Sequence, residues 1–394
     1  CFNLTMEKFD WKRTIRINIL LLKLVGLWPK GDEAYGRNFY TFYTFLSVVI
    51  FQIGHVFFQT VNLFLIANDL EAVTGTIFIL LTDMGAFIKT YCLVKNMKML
   101  KQLMITLNSD LFQPKNLEQR NLVQKSLNFW TIVVSIFWFC AFGCLFFWCS
   151  FPVFDKTVKE YRLPFLAWYP YNSKQSPQYE LTYLYQAAAI IFTSMANVNT
   201  DTLIAALNVY IGAQFDILCD DLRNFNKGGK SSSEEVNQTL KNCIHHHREI
   251  LKFAGCTNEF CNWLIFVQFF VGGISVGLTM FQLTVVVPFS SEFFSHVYYS
   301  TAVSVEAFMY CWFGNEIEIK SSKLPYAVFE SDWIGLSPEI KKNVIIFVLR
   351  VQKSVRISAL GLFYLSLETF VKVSTDHVFL EEIDNVLFVL DISN

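Results

Sequence analysis

Basic residues recur along this chain in a rhythm that dictates how it can sit in a bilayer. Seven apolar stretches divide the 394 residues, each long enough to cross a membrane. Ahead of the first lie Lys8, Lys12, Arg13, Arg16, Lys23, Lys30 and Arg37. The link after the first holds no Lys or Arg. The next carries Lys95, Lys98, Lys101, Lys115, Arg120 and Lys125. The third carries Lys156, Lys159, Arg162 and Lys174, diluted by Asp155, Glu160 and Glu180. The fourth carries Arg223, Lys227, Lys230, Lys241, Arg248 and Lys252, and the fifth carries none. The sixth carries Lys320, Lys323, Lys341, Lys342, Arg350, Lys353 and Arg356. Basic loops resist translocation and stay cytoplasmic. The rhythm therefore predicts an intracellular N-terminus and, after seven crossings, an extracellular C-terminus.

The predicted spans are residues 40–66, 72–93, 129–151, 181 onward, 263–287, 293–313 and 357 onward. The expected fold is an all-α polytopic membrane protein with seven transmembrane helices. Residues 1–39 form a cytoplasmic segment, and residues 40–313 hold the first six spans. Residues 314–356 are cytoplasmic, and residues 357–394 hold the last span and the tail. Only 16% of residues are charged and 53% are hydrophobic, against about 25% charged in soluble domains. Residues 6–29 are too charged for the apolar region of a cleavable signal peptide. The chain opens on Cys1 rather than Met, so its natural N-terminus is expected upstream.

Two cytoplasmic parts are expected to be ordered. The fourth span continues as an amphipathic helix from Leu203 towards Leu222. Gly228, Gly229 and residues 231–233 then form a short break, and helix resumes from Glu234 into the fifth span. A second helix starts at Ser337-Pro338, with Ser as N-cap and Pro at the first helical position. Its stripe Ile340, Val344, Phe347, Val348 and Val351 needs a partner, either its own chain or another subunit.

Few residues offer chemistry. The chain has no H-E-x-x-H, nucleophile elbow or phosphate loop, and the expectation is no enzyme and no cofactor. The ten cysteines lack metal-ligand spacing, and no basic run suggests nucleic acid. Consecutive residues His245, His246 and His247 point about 100° apart on a helix, so a solvated surface is expected rather than a metal site. Ionisable residues inside spans are functional suspects. Asp83 and Lys89 are six apart and do not face each other on one helix, and Lys89 is expected to snorkel. Glu306 is expected to face another helix or water, and Glu368 and Lys372 to pair locally. Hydroxyls at Thr74, Thr76, Tyr183, Tyr185, Ser300 and Thr301 suit a weakly polar ligand, but on composition alone ordinary helix packing is the better reading.

Assembled, the chain resembles an insect odorant receptor of the ligand-tuning type over nearly its whole length. The resemblance rests on Leu24-Val25-Gly26-Leu27-Trp28-Pro29, Tyr310-Cys311-Trp312-Phe313-Gly314-Asn315-Glu316 and Phe329-Glu330-Ser331-Asp332-Trp333. It continues through Leu336-Ser337-Pro338, Lys341-Lys342 and Leu365-Ser366-Leu367-Glu368-Thr369-Phe370. Any one piece is weak, and their order and spacing are specific. The resemblance implies an odorant-gated, non-selective cation channel formed as a heterotetramer with the odorant receptor co-receptor. It implies a plasma-membrane location, in olfactory sensory neuron dendrites, with the lipid bilayer and a small volatile ligand as further partners. The helix begun at Ser337 would join a cytoplasmic anchor, and the last helix would line the pore. Transferring the ligand region suggests Val73, Ile77, Phe137, Ala141, Cys144, Tyr185, Ala188, Tyr298, Tyr299 and Ala302. The gate would fall near Ile383, Val386 and Leu387. Other seven-span chemoreceptors, gustatory-like or metabotropic, and small-molecule transporters are the alternatives.

The tail departs from the family pattern, because Asp376, Glu381, Glu382 and Asp384 interrupt the expected pore helix. The acids line an outer vestibule, or are solvated beyond the membrane, or belong to a tail encoded by a wrong exon or retained intron. The orientation has a direct test. Asn3-Leu4-Thr5 and Asn237-Gln238-Thr239 fit the glycosylation pattern, and both fall on the cytoplasmic side. Glycosidase treatment of protein expressed in insect cells is expected to leave its gel mobility unchanged. A shift abolished by Asn237→Gln would invert the topology.

Overall fold

A computed structural model describes residues 8–31, 35–226 and 233–372. A 3-10 turn at Trp11–Arg13 leads into α1 (Arg16–Leu24). The first span is α2 (Phe39–Leu65), which passes through π-helical geometry at Val48–Ile53. Then follow α3 (Leu70–Lys95), α4 (Met97–Leu107), α5 (Leu117–Phe154), α6 (Gln178–Asn224) and α7 (Ser233–Val285). The described part closes with α8 (Ser291–Ser322), α9 (Leu324–Phe329), α10 (Pro338–Val351) and a hairpin, β1 (Ser358–Ala359) with β2 (Phe363–Tyr364). Among the described residues, five helices are long and apolar enough to cross a membrane: α2, α3, α5, α6 and α7.

Side-chain caps fix where these helices begin. Asn38 accepts from the Thr41 amide at 2.9 Å, Asp69 from Ala72 at 3.1 Å, Asn116 from Gln119 at 2.7 Å and Ser290 from Phe293 at 3.0 Å. Each cap satisfies one of the amides a helix leaves unpaired at its start. Helices α5, α6 and α7 contain 38, 47 and 53 residues. At about 1.5 Å per residue they outrun the roughly 30 Å hydrocarbon layer, so their ends stand in water.

Helix α6 is the axis of the bundle. From Val198 to Phe215 every residue is buried. The amphipathic helix expected at residues 203–222 is thus covered on all sides as far as Phe215. It packs against α1, α3, α5, α7, α8 and α9, and Tyr210 Oη donates to the Trp11 carbonyl at 3.1 Å. The cytoplasmic ends are tied by Lys320, which meets Asp216 at 2.7 Å and Ser126 at 2.9 Å, joining α8, α6 and α5.

His245 is exposed as expected, but its two neighbours depart from expectation. His246 and His247 are buried, not solvated. His246 Nε2 lies 2.9 Å from Gln214 Oε1 on α6, and His247 meets the Phe347 ring edge-on at 5.5 Å. Helices α6 and α10 close over this face of α7, which helical periodicity alone does not reveal. The α10 stripe Ile340, Val344, Phe347, Val348 and Val351 is buried within its own chain, while Ile345, Ile346 and Leu349 on the other face are exposed. Ser337 is the N-cap of α10, but its side chain makes no capping hydrogen bond.

The last span does not begin at residue 357. Residues 358–364 form the antiparallel hairpin, with Ala359 opposite Phe363. Leu360 and Gly361 turn it with positive φ of 53° and 72°. The apolar character of Ile357, Ala359 and Leu365 reflects burial against the helices rather than contact with lipid. Helix resumes at residue 367, and the Glu368–Lys372 pair forms at 2.7 Å. The acids of the tail, the gate positions Ile383, Val386 and Leu387, the sequon at Asn3 and the break at residues 227–232 lie outside the described residues.

Leu365 seats the hairpin on α8 at Gly314. A Cβ added to Gly314 would lie 2.3 Å from Leu365 Cβ and 3.1 Å from its carbonyl oxygen. Gly314→Ala is therefore expected to destabilise the fold by about 1–3 kcal/mol through overpacking. Thermal unfolding of the purified full chain should show a lowered Tm; an unchanged Tm would mean that the hairpin is not seated there.

Candidate functional site

Five helices enclose a cavity of about 80 Å³ inside the bundle. Helix α3 contributes Ile79, Thr82, Asp83 and Ala86, a stripe at i, i+3, i+4 and i+7. Helix α5 contributes Phe137, Ala141, Cys144 and Trp148. Helix α6 adds Ile190, Thr193, Ser194, Asn197 and Val198, and α7 adds Gln268, Val271 and Gly272. Helix α8 completes the wall with Tyr299, Ala302, Val303 and Glu306. The Thr82 and Tyr299 hydroxyls meet at 2.5 Å and join α3 to α8. A mostly apolar concavity with a few convergent polar groups is the usual form of a small-molecule site.

Its deep edge is charged. Lys89 is 1% exposed and lies 2.6 Å from Asp201 Oδ1 and 2.8 Å from Glu306 Oε1. Tyr310 donates to the same Asp201 oxygen at 2.7 Å. The cluster thus joins α3, α6 and α8. Lys89 does not snorkel, because these two carboxylates meet it inside the bundle. Glu306 meets another helix, as expected, and also lines the cavity. Elsewhere on α3, Asp83 Oδ2 stands 3.6 Å from His55 and 3.4 Å from Gln59 of α2. Gln52 donates to Thr90 at 3.0 Å along the same seam.

Of the ten residues suggested for the ligand, Phe137, Ala141, Cys144, Tyr299 and Ala302 come together in the cavity wall. Five do not. Val73 and Ile77 lie off the α3 stripe that faces inward. Ala188 is exposed on α6. Tyr185 turns towards α2 and donates to the Ile50 carbonyl at 2.8 Å. Tyr298 lies over Gly143, where an added Cβ would stand 2.6 Å from its ring, and stacks on Phe147. Side chains two positions apart on a helix point about 200° apart, so a guess short by two residues picks the wrong face. The span hydroxyls are used in packing, the reading that composition favours. Thr74, Thr76, Tyr183, Tyr185, Ser300 and Thr301 all donate to backbone carbonyls.

The fifth span was missing from the expected site, yet Gln268, Val271 and Gly272 line it. Asp83 and Glu306 carried a readable signal, being carboxyl groups within apolar runs. Removing one side of the charged cluster should be costly, since it strands buried charge. Lys89→Met is expected to cost about 3–5 kcal/mol, and adding Asp201→Asn with Glu306→Gln should recover much of it. Fluorescence-detected size exclusion reads both results. Wild-type behaviour of Lys89→Met would dissolve the cluster as a structural unit.

Known proteins place this fold. The family model described as 7tm Odorant receptor matches residues 69–375. Odorant receptor Or1 of Anopheles gambiae is 24% identical, across 93% of this chain and 94% of its own length. Odorant receptor 46a, isoform A, of Drosophila melanogaster is 22% identical, across 86% and 88%. The solved structure of the insect olfactory receptor OR5 from Machilis hrabei in complex with eugenol superposes with a TM-score of 0.82. It shares 17% identity and covers 94% of this chain and 96% of that one. A second structure of the same receptor gives a TM-score of 0.79 at 16% identity, covering 95% of this chain and 99% of that one. The chain belongs to the insect odorant receptor family.

Proposed function

We propose that this chain is the ligand-tuning subunit of an odorant-gated, non-selective cation channel formed with the odorant receptor co-receptor. The observation that carries the proposal is the cavity among α3, α5, α6, α7 and α8 in a chain of this family. A receptor of the same fold has been solved with eugenol, a small volatile phenol. The cavity here sets Phe137, Trp148 and Tyr299 beside a few polar groups, a lining that suits a small aromatic ligand. The assembly would sit in the plasma membrane of olfactory sensory neuron dendrites. Helix α10, with Ile345, Ile346 and Leu349 exposed, would supply part of a cytoplasmic contact between subunits. A ligand opens such a channel only by binding the open state more tightly than the closed one. Residues beyond Lys372 would supply the pore, with Ile383, Val386 and Leu387 at its gate.

Patch recording from cells expressing the chain with and without the co-receptor tests this reading. Odorant-evoked cation current is expected from the pair, with the ligand dependence set by this chain. Surface expression of both without any evoked current across a broad odorant panel would refute it. The cavity has its own test. Ala141 lies in the wall at 9% exposure, so Ala141→Phe fills the space. It should raise the concentration for half-maximal current by about tenfold or more, a loss of some 1.4 kcal/mol or above, with surface expression retained. An unchanged dose–response would move the ligand elsewhere.

A further inference from the structure

We infer that the cavity is built for a small ligand bearing a protonated amine on an apolar body, with Asp83 as its counter-ion. The inference rests on the reading of this cavity as the ligand site and adds the chemical class of what enters it.

Asp83 lines the cavity and is 3% exposed. Its nearest partners, Gln59 and His55, stand at 3.4 and 3.6 Å, outside the usual 2.7–3.2 Å for such contacts. Lys89 is taken up by Asp201 and Glu306. Of the three buried carboxyl groups, Asp201 and Glu306 hold the lysine and Asp83 is not paired with it. A carboxylate held out of water without a close cation is costly, and a cationic ligand relieves that cost.

Two further features of the same wall fit an ammonium group. The Thr193 side chain lines the cavity at 3% exposure, and its hydroxyl has no hydrogen-bond partner among the described residues. Phe137, Trp148 and Tyr299 supply aromatic faces, which hold an apolar body and attract a cation. A neutral ligand of the same shape would keep the aromatic contacts and lose the charge pairing.

The test uses the full chain in lipid nanodiscs and three probes of similar size: benzylamine, benzyl alcohol and toluene. Binding is read near neutral pH by calorimetry. Benzylamine is expected to bind about tenfold or more tighter than benzyl alcohol, the scale of a hydrogen bond to a charged group. Asp83→Asn should abolish that preference, and Thr193→Val should weaken benzylamine alone. Equal or tighter binding of benzyl alcohol or toluene, no benzylamine binding, or a preference that survives Asp83→Asn would overturn the inference. If Asp83→Asn does not fold, the wild-type ranking and Thr193→Val still decide it. Recordings with the co-receptor separate this inference from the one beneath it. Current evoked by benzyl alcohol while benzylamine is inert would overturn the amine assignment and leave the channel standing. Amine binding that needs Asp83 but evokes no current would do the reverse.

Discussion

A lysine buried among membrane helices constrains this molecule more than any other side chain. Water is absent from the hydrocarbon layer, so an ammonium group there must find its partners within the protein. Lys89 finds Asp201 on α6 and Glu306 on α8, and Tyr310 completes the group by donating to Asp201. Ion pairs of this kind add little net stability over apolar packing of the same volume, and their use lies in fixing register. Sliding α3 by one turn along α6 or α8 would strand a charge. The three helices so locked are also three of the five walls of the cavity. The shape of the cavity therefore depends on a contact at its deep edge.

Around that lock, burial is unevenly shared. Helix α6 has almost no free surface over its middle, whereas α2 exposes Phe39, Phe42, Phe45, Phe57 and Phe64. Apolar residues on α2 face outward because the surrounding solvent is itself apolar, so exposure there carries no penalty. Outside the lipid the rules revert to those of water. The aqueous ends of α5, α6, α7 and α8 are joined by polar ties such as Lys320 with Asp216, and Gln214 with His246 and the Phe112 carbonyl.

Much of this was legible in the sequence, for reasons that differ by feature. Long apolar runs separated by polar links are a strong signal, and the positions of α2, α3, α5, α6 and α7 follow from them. The start of α10 at Ser337-Pro338 and its apolar stripe were equally readable, since both are local properties. Relations between helices were not. Nothing near Lys89 announces carboxylates on α6 and α8, and nothing in residues 245–247 announces Gln214 or Phe347. Half of the suggested ligand residues line the cavity, because choosing a helix is easier than choosing its face. Tyr185 and Tyr298 had the expected chemistry and were turned away by contacts with Ile50 and Gly143. The hairpin at residues 358–364 was misread as the start of a span because buried and lipid-facing residues share one composition.

The buried lysine also bears on how the protein is made. Lys89 precedes Glu306 by 217 residues, so α3 is synthesised long before the helices that neutralise it. Placing Lys or Asp at the centre of a membrane helix costs about 2.5–3.5 kcal/mol on insertion scales. Helix α3 carries both Asp83 and Lys89, and its apolar residues must outweigh them while it waits beside the translocon. The arrival of α6 and then α8 turns that temporary burden into the lock. Biogenesis thus has a built-in order, in which the later spans secure an earlier one.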